Sequence, residues 1–239
     1  MKKIQLAILV FVSGLTVAAL SACHFRCVHG SGNQVSQDRK VGEFTRVSIS
    51  GGYKVILKQD STYGIKITAD DNLLKYIKTE LQGDKLKIYS KKNFCNNGQL
   101  LINIGIGNLQ ELKASGGIEI ESDGRINAKD IDFNFSGATK LKMDLNAANV
   151  TASGSGSTEL NLKGQASALS IDLSGSGKVE ALDFPVATCE IETSGVGDSK
   201  VNVSHTLNVH SSGASSVKYK GSPIITNEKS GASSIEKIN

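Results

Sequence analysis

Tryptophan is absent from this chain of 239 residues, tyrosine occurs five times and proline only twice. Sugar-binding clefts usually stack pyranose rings on aromatic side chains, so the shortage of aromatics weighs against a lectin or a polysaccharide-degrading cleft. Two prolines leave nearly every backbone N–H free to donate, which suits a chain made of uninterrupted strands. A charge excess of one sign is also missing, with 27 Lys and Arg against 23 Asp and Glu. Lys2 and Lys3 fall in a removable leader, which brings the balance closer still to neutral. That balance offers no electrostatic footprint for nucleic acid.

Motifs for chemistry are lacking as well. No Gly-x-Ser-x-Gly elbow occurs. Ser174-Gly175-Ser176-Gly177-Lys178 glances at a phosphate loop, but Asp172 stands where the first glycine belongs and Val179 follows the lysine. His24, Cys27 and His29 match no compact zinc spacing, and a second ligand pair is absent. No catalytic residue, metal or cofactor is expected.

Glycine is plentiful, at 25 residues, and much of it recurs in one fragment. Ser-Gly stands at 115-116, 136-137, 153-154, 174-175, 194-195, 212-213 and 230-231, at intervals of 17 to 21 residues. Aligned on these pairs, the position three before the serine is mostly apolar: Leu112, Phe133, Val150, Ile171, Ile191 and Val209. The position five after reads Ile120, Leu141, Thr158, Val179, Ser199, Val217 and Ile235. Between them Asn134, Asp172, Glu192 and His210 sit two before the serine. This is period-two alternation, the mark of strands with one buried face. Strands at a fixed period near twenty predict stacked coils of a parallel sheet, each unable to bury its apolar face alone. The glycines belong at the corners, where a tight bend needs positive φ or close backbone approach. The string Ser153-Gly154-Ser155-Gly156 lets the phase slip by two residues at its coil.

The organisation reads in four parts. Residues 1–22 form an export signal: Lys2 and Lys3, then an apolar run from Ile4, broken by Ser13, Gly14 and Thr16. It ends Leu20-Ser21-Ala22-Cys23, which resembles the lipobox of bacterial lipoproteins. That resemblance implies acylation of Cys23 and a membrane held through the lipid anchor, with several acyl chains because one holds weakly. Residues 23–40 read as a lipidated, polar tether. Residues 41–108 read as an irregular N-terminal β region, with a helical turn at Asp70–Lys75 and a hairpin turning at Gly83-Asp84. Residues 109–239 hold the regular coils, the folded part being one continuous domain, 41–239, if the first region is simply irregular early coils.

Of the remaining cysteines, Cys189 falls in an apolar inward column and reads as a buried thiol. Cys27 and Cys95 lie in loop-like surroundings in an oxidising compartment, the setting for a disulfide. Asp172 and Glu192 share an outward column on adjacent coils. A retaining glycosidase pair needs about 5 Å between carboxyls, so these two are the candidates for a carbohydrate site, weighed against an ordinary solvated face. The last strand, Ile235 to Asn239, leaves an edge on which another copy can pair, unless Lys229, Glu236 and Lys237 act as gatekeepers.

The lipobox, Gly30-Ser31-Gly32-Asn33, Arg39-Lys40-Val41-Gly42-Glu43-Phe44, Ala69-Asp70-Asp71-Asn72-Leu73-Leu74 and the repeated Ser-Gly strands together resemble the family named "putative auto-transporter adhesin, head GIN domain". The resemblance spans residues 30–239 and implies an all-β fold with a right-handed parallel β-helix. It also implies an adhesin or interaction scaffold at the cell envelope, and it transfers no catalytic residue. The expected function is non-catalytic: a lipid-anchored solenoid, on the outer membrane, facing an extended glycan or protein partner. The alternatives are a polysaccharide lyase or hydrolase on a β-helix, and a periplasm-facing structural or signalling lipoprotein.

Overall fold

The computed structural model describes residues 27–95 and 98–238. Cys23 and the leader, with His24, lie outside the described residues. The described chain is all-β apart from one short helix. In order it runs β1 (Cys27–His29), β2 (Gln34–Lys40), β3 (Arg46–Gln59), β4 (Gly64–Asp70), α1 (Asp71–Leu74), β5 (Ile77–Gln82), β6 (Lys85–Ser90), β7 (Asn93–Cys95), β8 (Leu101–Ile106), β9 (Glu111–Asn127), β10 (Asp130–Lys220) and β11 (Ile224–Lys237). The main sheet is mixed and open, in the order β11-β10-β9-β3-β8-β4-β2, with β6 on β3 and β5 on β6. Strands β2–β4, β4–β8 and β5–β6 pair antiparallel. Strands β3–β9, β9–β10 and β10–β11 pair parallel.

Strand β10 is 91 residues long and, drawn straight, would reach about 300 Å. It bends back on itself instead, and the glycines show where. A Cβ built on Gly137 would lie 2.8 Å from the carbonyl oxygen of Gly116, and one on Gly156 would lie 2.6 Å from that of Gly137. Gly175 stacks in the same way on Gly156, Gly195 on Gly175, Gly213 on Gly195 and Gly231 on Gly213. Each passage of the chain through this column is called a rung below. Gly137 has φ +88° and Gly156 φ +97°, a backbone that only glycine holds without strain.

The structure corrects the sequence reading at three places. At the doubtful string the corner is Ser155-Gly156, not Ser153-Gly154: a Cβ on Gly154 would meet Thr158 and Leu173, which places Gly154 in the interior column. The first rung lies in β3. Gly51 has φ +137°, and Gly116 stacks on it; the Ser50-Gly51 pair stands so far before the next that the period hides it. The strands β4 to β8 are inserted between that rung and the second. Finally, the polar tether gives way to strand from Cys27 onward, because residues 31–34 are bound by side chains of the next motif. Ser31 Oγ donates to Asp71 Oδ1 at 2.6 Å, and Asn33 Nδ2 donates to Asp71 Oδ2 at 3.0 Å. Asp70, fully buried, accepts from Gln34 Nε2 at 2.7 Å and from the Gly32 N–H at 3.3 Å. Downstream, Arg39 caps the other side of this join, donating to the carbonyls of Leu74 and Ile77 and to Thr79 Oγ1.

Alternation decides the core. Val47, Ile49, Tyr53, Val55 and Leu57 of β3 are each at most 4% exposed, while the even-numbered residues beside them are half-buried or exposed. The apolar cluster continues unbroken from Phe44 to Val217. Burying each such side chain contributes roughly 1.5–3 kcal/mol. Towards β11 the interior becomes polar: Thr193, Ser199, Ser211 and Ser215 are buried. Thr193 Oγ1 donates to Ser211 Oγ at 3.4 Å, and Ser211 and Ser215 share a hydroxyl hydrogen bond.

Candidate functional site

Stacking rungs in register brings residues far apart in sequence into straight columns. The serine before each corner glycine forms one such column. Ser50 pairs with Ser115, Ser115 with Ser136, and Ser212 with Ser230. The glycine stack carries Ser155, Ser174 and Ser194 into the same line. Ser115 Oγ donates to Ser50 Oγ at 3.0 Å, so neighbouring hydroxyls are within reach of one another. The residues after the serine are glycine, alanine, serine and one Val196, which is 65% exposed. Small side chains leave this edge of the molecule low, and two grooves run beside it.

The first groove, of about 460 Å³, is lined by Ser48, Lys113, Asn134, Ser153, Asp172 and the serine column, with Phe135 and Ile49 in its floor. The second, also about 460 Å³, is lined by Asp172, Glu192, His210, Glu228 and the serines of their rungs, with Thr193 and Ser211 beneath. Asp172 belongs to both grooves, so they follow one another along the same face. The wall is the column two before the serine. It passes from Lys113 through Asn134 and Ser153 to Asp172, Glu192, His210 and Glu228. The corner at Gly156 puts Ser153, not Thr151, beside Asp172 in this column. His210 Nδ1 lies 3.3 Å from Glu228 Oε2, a contact that is an ion pair only when the imidazole is protonated.

The opposite side of the corner behaves differently. Three residues past the stacked glycines from Gly51 to Gly195 stand Lys54, Glu119, Lys140, Glu159, Lys178 and Asp198, alternating in sign, and past Gly213 and Gly231 the column ends in Ser216 and Ser234. Lys54 and Lys140 each pair in register with Glu119, and Lys140 Nζ lies 3.0 Å from Glu159 Oε2. Two residues further on, Glu121 Oε2 meets Lys54 Nζ at 2.9 Å and Glu121 Oε1 meets Lys142 Nζ at 2.8 Å. Hydrogen bonds from Lys142 and Lys54 hold the Glu121 carboxyl below its ordinary range. Lys200 and Lys178 likewise converge on Glu180. Opposite charges directly across a sheet stabilise it and like charges destabilise it, so this seam satisfies itself. The serine face does so only at its two ends: among the described residues Lys113 meets Glu111 Oε1 at 2.9 Å and His210 meets Glu228, while the wall between them holds no ion pair. Asp172 and Glu192 are exposed and free to meet a partner. The seam was missed in the sequence because its alternation appears only once the corner is set at Gly156.

The cysteines occupy separate places. Cys27 and Cys95 form a disulfide, Cα–Cα 5.7 Å, which fastens β1 to β7. Cys189 is a buried free thiol whose pKa burial pushes up to about 12. The ligand atoms of His29 and of the two bonded cysteines lie within 4.8 Å of one another, but the sulfurs are committed to each other. No helix among the described residues is long and apolar enough to cross a membrane.

The profile of a family described as "putative auto-transporter adhesin, head GIN domain" matches residues 43–223. No curated protein matches the sequence. Among solved structures the fold is similar to that of a "putative adhesin" from Bacteroides fragilis, with TM-score 0.83, 22% identity, and coverage of 88% of this chain and 100% of that one. It is similar to a "putative lipid binding protein" from Parabacteroides distasonis, with TM-score 0.74, 20% identity, and coverage of 90% and 100%. A "putative adhesin" from Parabacteroides merdae gives TM-score 0.69 at 20% identity, covering 89% of this chain and 99% of that one. At these identities the likeness concerns the fold.

Proposed function

Because the chain belongs to the auto-transporter adhesin, head GIN domain family, we propose that it is a non-catalytic, adhesin-like protein of the cell envelope that binds an extended partner along its serine face. In this reading the rungs are the coils of a right-handed parallel β-solenoid, and Cys23 carries the lipid that anchors it to the outer membrane. The observation that carries the proposal is the contrast between the two sides of the corner. One side neutralises its charges rung by rung. The other lays a column of serine hydroxyls beside two connected grooves whose Asp172 and Glu192 are exposed. Repetition at one strand spacing, about 4.8 Å, suits a partner that is itself extended, a glycan or a protein segment, over a compact small molecule. An enclosed pocket of the kind that sequesters a reacting substrate is not what these open grooves provide.

Two measurements test the reading together. Intact cells are treated with protease and probed for the domain, and adhesion of the same cells to glycan and protein surfaces is scored. The expected result is digestion on intact cells, with retention that falls several-fold in the Asp172→Asn/Glu192→Gln variant. Full protection until lysis, or retention unchanged by the double variant, rejects the adhesin assignment. Turnover of an acidic polysaccharide that is abolished by the same two substitutions would replace it with the enzymatic reading.

A further inference from the structure

Strand β11 pairs with β10 on one side, and among the described residues nothing pairs with its outer edge. The rung it forms repeats the one beneath it: Leu207 stands against Ile225, Val209 against Asn227, Ser215 against Ser233 and Val217 against Ile235. Leu207, Val209 and Val217 are at most 1% exposed, whereas Ile225 is 38% exposed and the neighbouring Ile224 77%. Apolar inward positions therefore persist to this end of the stack beside the buried serines, and there they stay wet. The other end differs: β4 lies between β8 and β2, α1 packs against β4 and β2, and the Cys27–Cys95 disulfide fastens the segment that follows. An open edge over an exposed interior is a template for another strand.

We propose that the occupant is a second copy of this chain, with β11 running antiparallel to β11 of the partner about a two-fold axis through Ser230. Two conditions fix that axis. Residues directly opposite in an antiparallel pair project to the same face. The inward positions of β11 are odd-numbered, at Ile225, Asn227, Ser233 and Ile235, as their buried partners on β10 show. Inward meets inward only when the axis passes through a residue and not between two. The second condition is that the large apolar groups at the wet end cover one another. Ile225 meets the partner's Ile235, and Ile235 the partner's Ile225, only when that residue is 230. The other positions then agree without further adjustment. Asn227 meets the partner's Ser233, Thr226 meets the partner's Ser234, Glu228 meets the partner's Ala232, and Ser230 meets its own copy. No like charges are opposed. The arrangement is isologous and closes on itself, giving a dimer and not a fibre. It lengthens the serine face across the junction, and it holds whether or not that face binds a glycan.

The experiment uses two single cysteines in the full chain. Across an antiparallel pair the Cα atoms stand about 4.5–5.5 Å apart, within the roughly 4.4–6.8 Å that a disulfide spans. Ser230→Cys is therefore expected to give a covalent dimer under mild oxidation. Ser212→Cys, one rung further in on the same exposed column, is expected to stay monomeric. Wild-type chain purified in mild detergent should sediment as a dimer at about 10 µM, in keeping with micromolar affinity. The Ile224→Lys/Ile225→Lys variant should sediment as a monomer with an unchanged circular-dichroism spectrum. If that variant does not fold, the two cysteines decide. Equal cross-linking at 230 and 212, or a wild-type monomer at about 100 µM, overturns the proposal.

Discussion

Replacing Gly116 by alanine tests the stacking of the rungs more directly than any change to the core. Gly116 has φ +109°, a conformation that costs a residue with a Cβ of the order of 1–3 kcal/mol. The new methyl would be driven into the carbonyl oxygen of Gly51, with the Gly51 carbon at 3.1 Å and nitrogen at 3.3 Å behind it. Those atoms are backbone, held by the β3–β9 ladder, and have no rotamer by which to yield. Overpacking of this kind adds roughly 1–3 kcal/mol. The total, about 2–6 kcal/mol, is a large share of the roughly 5–15 kcal/mol by which domains are stable. Gly117 is the internal control, because a Cβ there meets nothing within 4 Å and its φ is not in the positive range. Gly117→Ala should be neutral, or stabilising by about 0.4–1 kcal/mol through the unfolded chain. Urea unfolding followed by circular dichroism reads the difference as a loss of about 0.7–3 M in midpoint for Gly116→Ala, at an m-value of about 2–3 kcal/mol/M. Midpoints for the two variants that agree within about 0.3 M would mean that rungs do not approach through the glycine column, and the account of the fold given above would fail.

Three further outcomes follow from residues away from that column. Cys189, buried and with its thiolate disfavoured, should resist a thiol reagent such as dithionitrobenzoate at pH 8 and react fully in denaturant; rapid labelling of the folded chain contradicts its placement. Reducing Cys27–Cys95, which closes a loop of 68 residues, should cost up to about 4 kcal/mol on the chain-entropy estimate, seen as a lower melting temperature that Cys27→Ser/Cys95→Ser reproduces; an unchanged melting temperature refutes it. Asp84 is held down to about 2 by hydrogen bonds from Arg46 and then Thr45. Since its folded pKa is depressed, its contribution is present above the unfolded value near 3.9 and fades as pH falls through about 2. The urea midpoint should therefore drop more steeply between pH 4 and 2 in the wild type than in Asp84→Asn, and parallel profiles would deny the ionic role.

The sequence disclosed the repeat because each rung must bury the same columns, and apolar columns in register survive as periodic letters. Leu112, Phe133, Ile171, Ile191 and Val209 are all buried or adjacent to buried positions along the expected stripe. Its failures have particular causes. Ser153-Gly154-Ser155-Gly156 offers two corners that local pattern cannot separate; only the contact of Gly156 with Gly137 chooses. Ser50-Gly51 is the first rung, but the inserted strands β4 to β8 separate it from Ser115-Gly116, and isolated Ser-Gly pairs such as Ser31-Gly32 are not rungs at all. The tether reading failed because Gly30 to Asn33 is polar and aperiodic, and its order comes from Asp70 and Asp71 about 40 residues away. Two of the motifs that carried the family resemblance, Gly30–Asn33 and Ala69–Leu74, thus prove to be two halves of one clasp, a structural duty no single-motif reading reveals. The serine face was legible as a column, while its grooves depend on side-chain volumes of neighbouring rungs and could not be read from spacing.

The alternating seam of Lys54, Glu119, Lys140, Glu159, Lys178 and Asp198 bears on how such a molecule can change in length. Removing one interior rung, or duplicating any one, would set lysine on lysine or carboxylate on carboxylate at the junction. Removing or duplicating two consecutive rungs restores the alternation. The seam therefore acts as a parity rule: insertions and deletions in whole pairs of rungs are tolerated electrostatically, while odd numbers are penalised even when every glycine and every apolar column is kept.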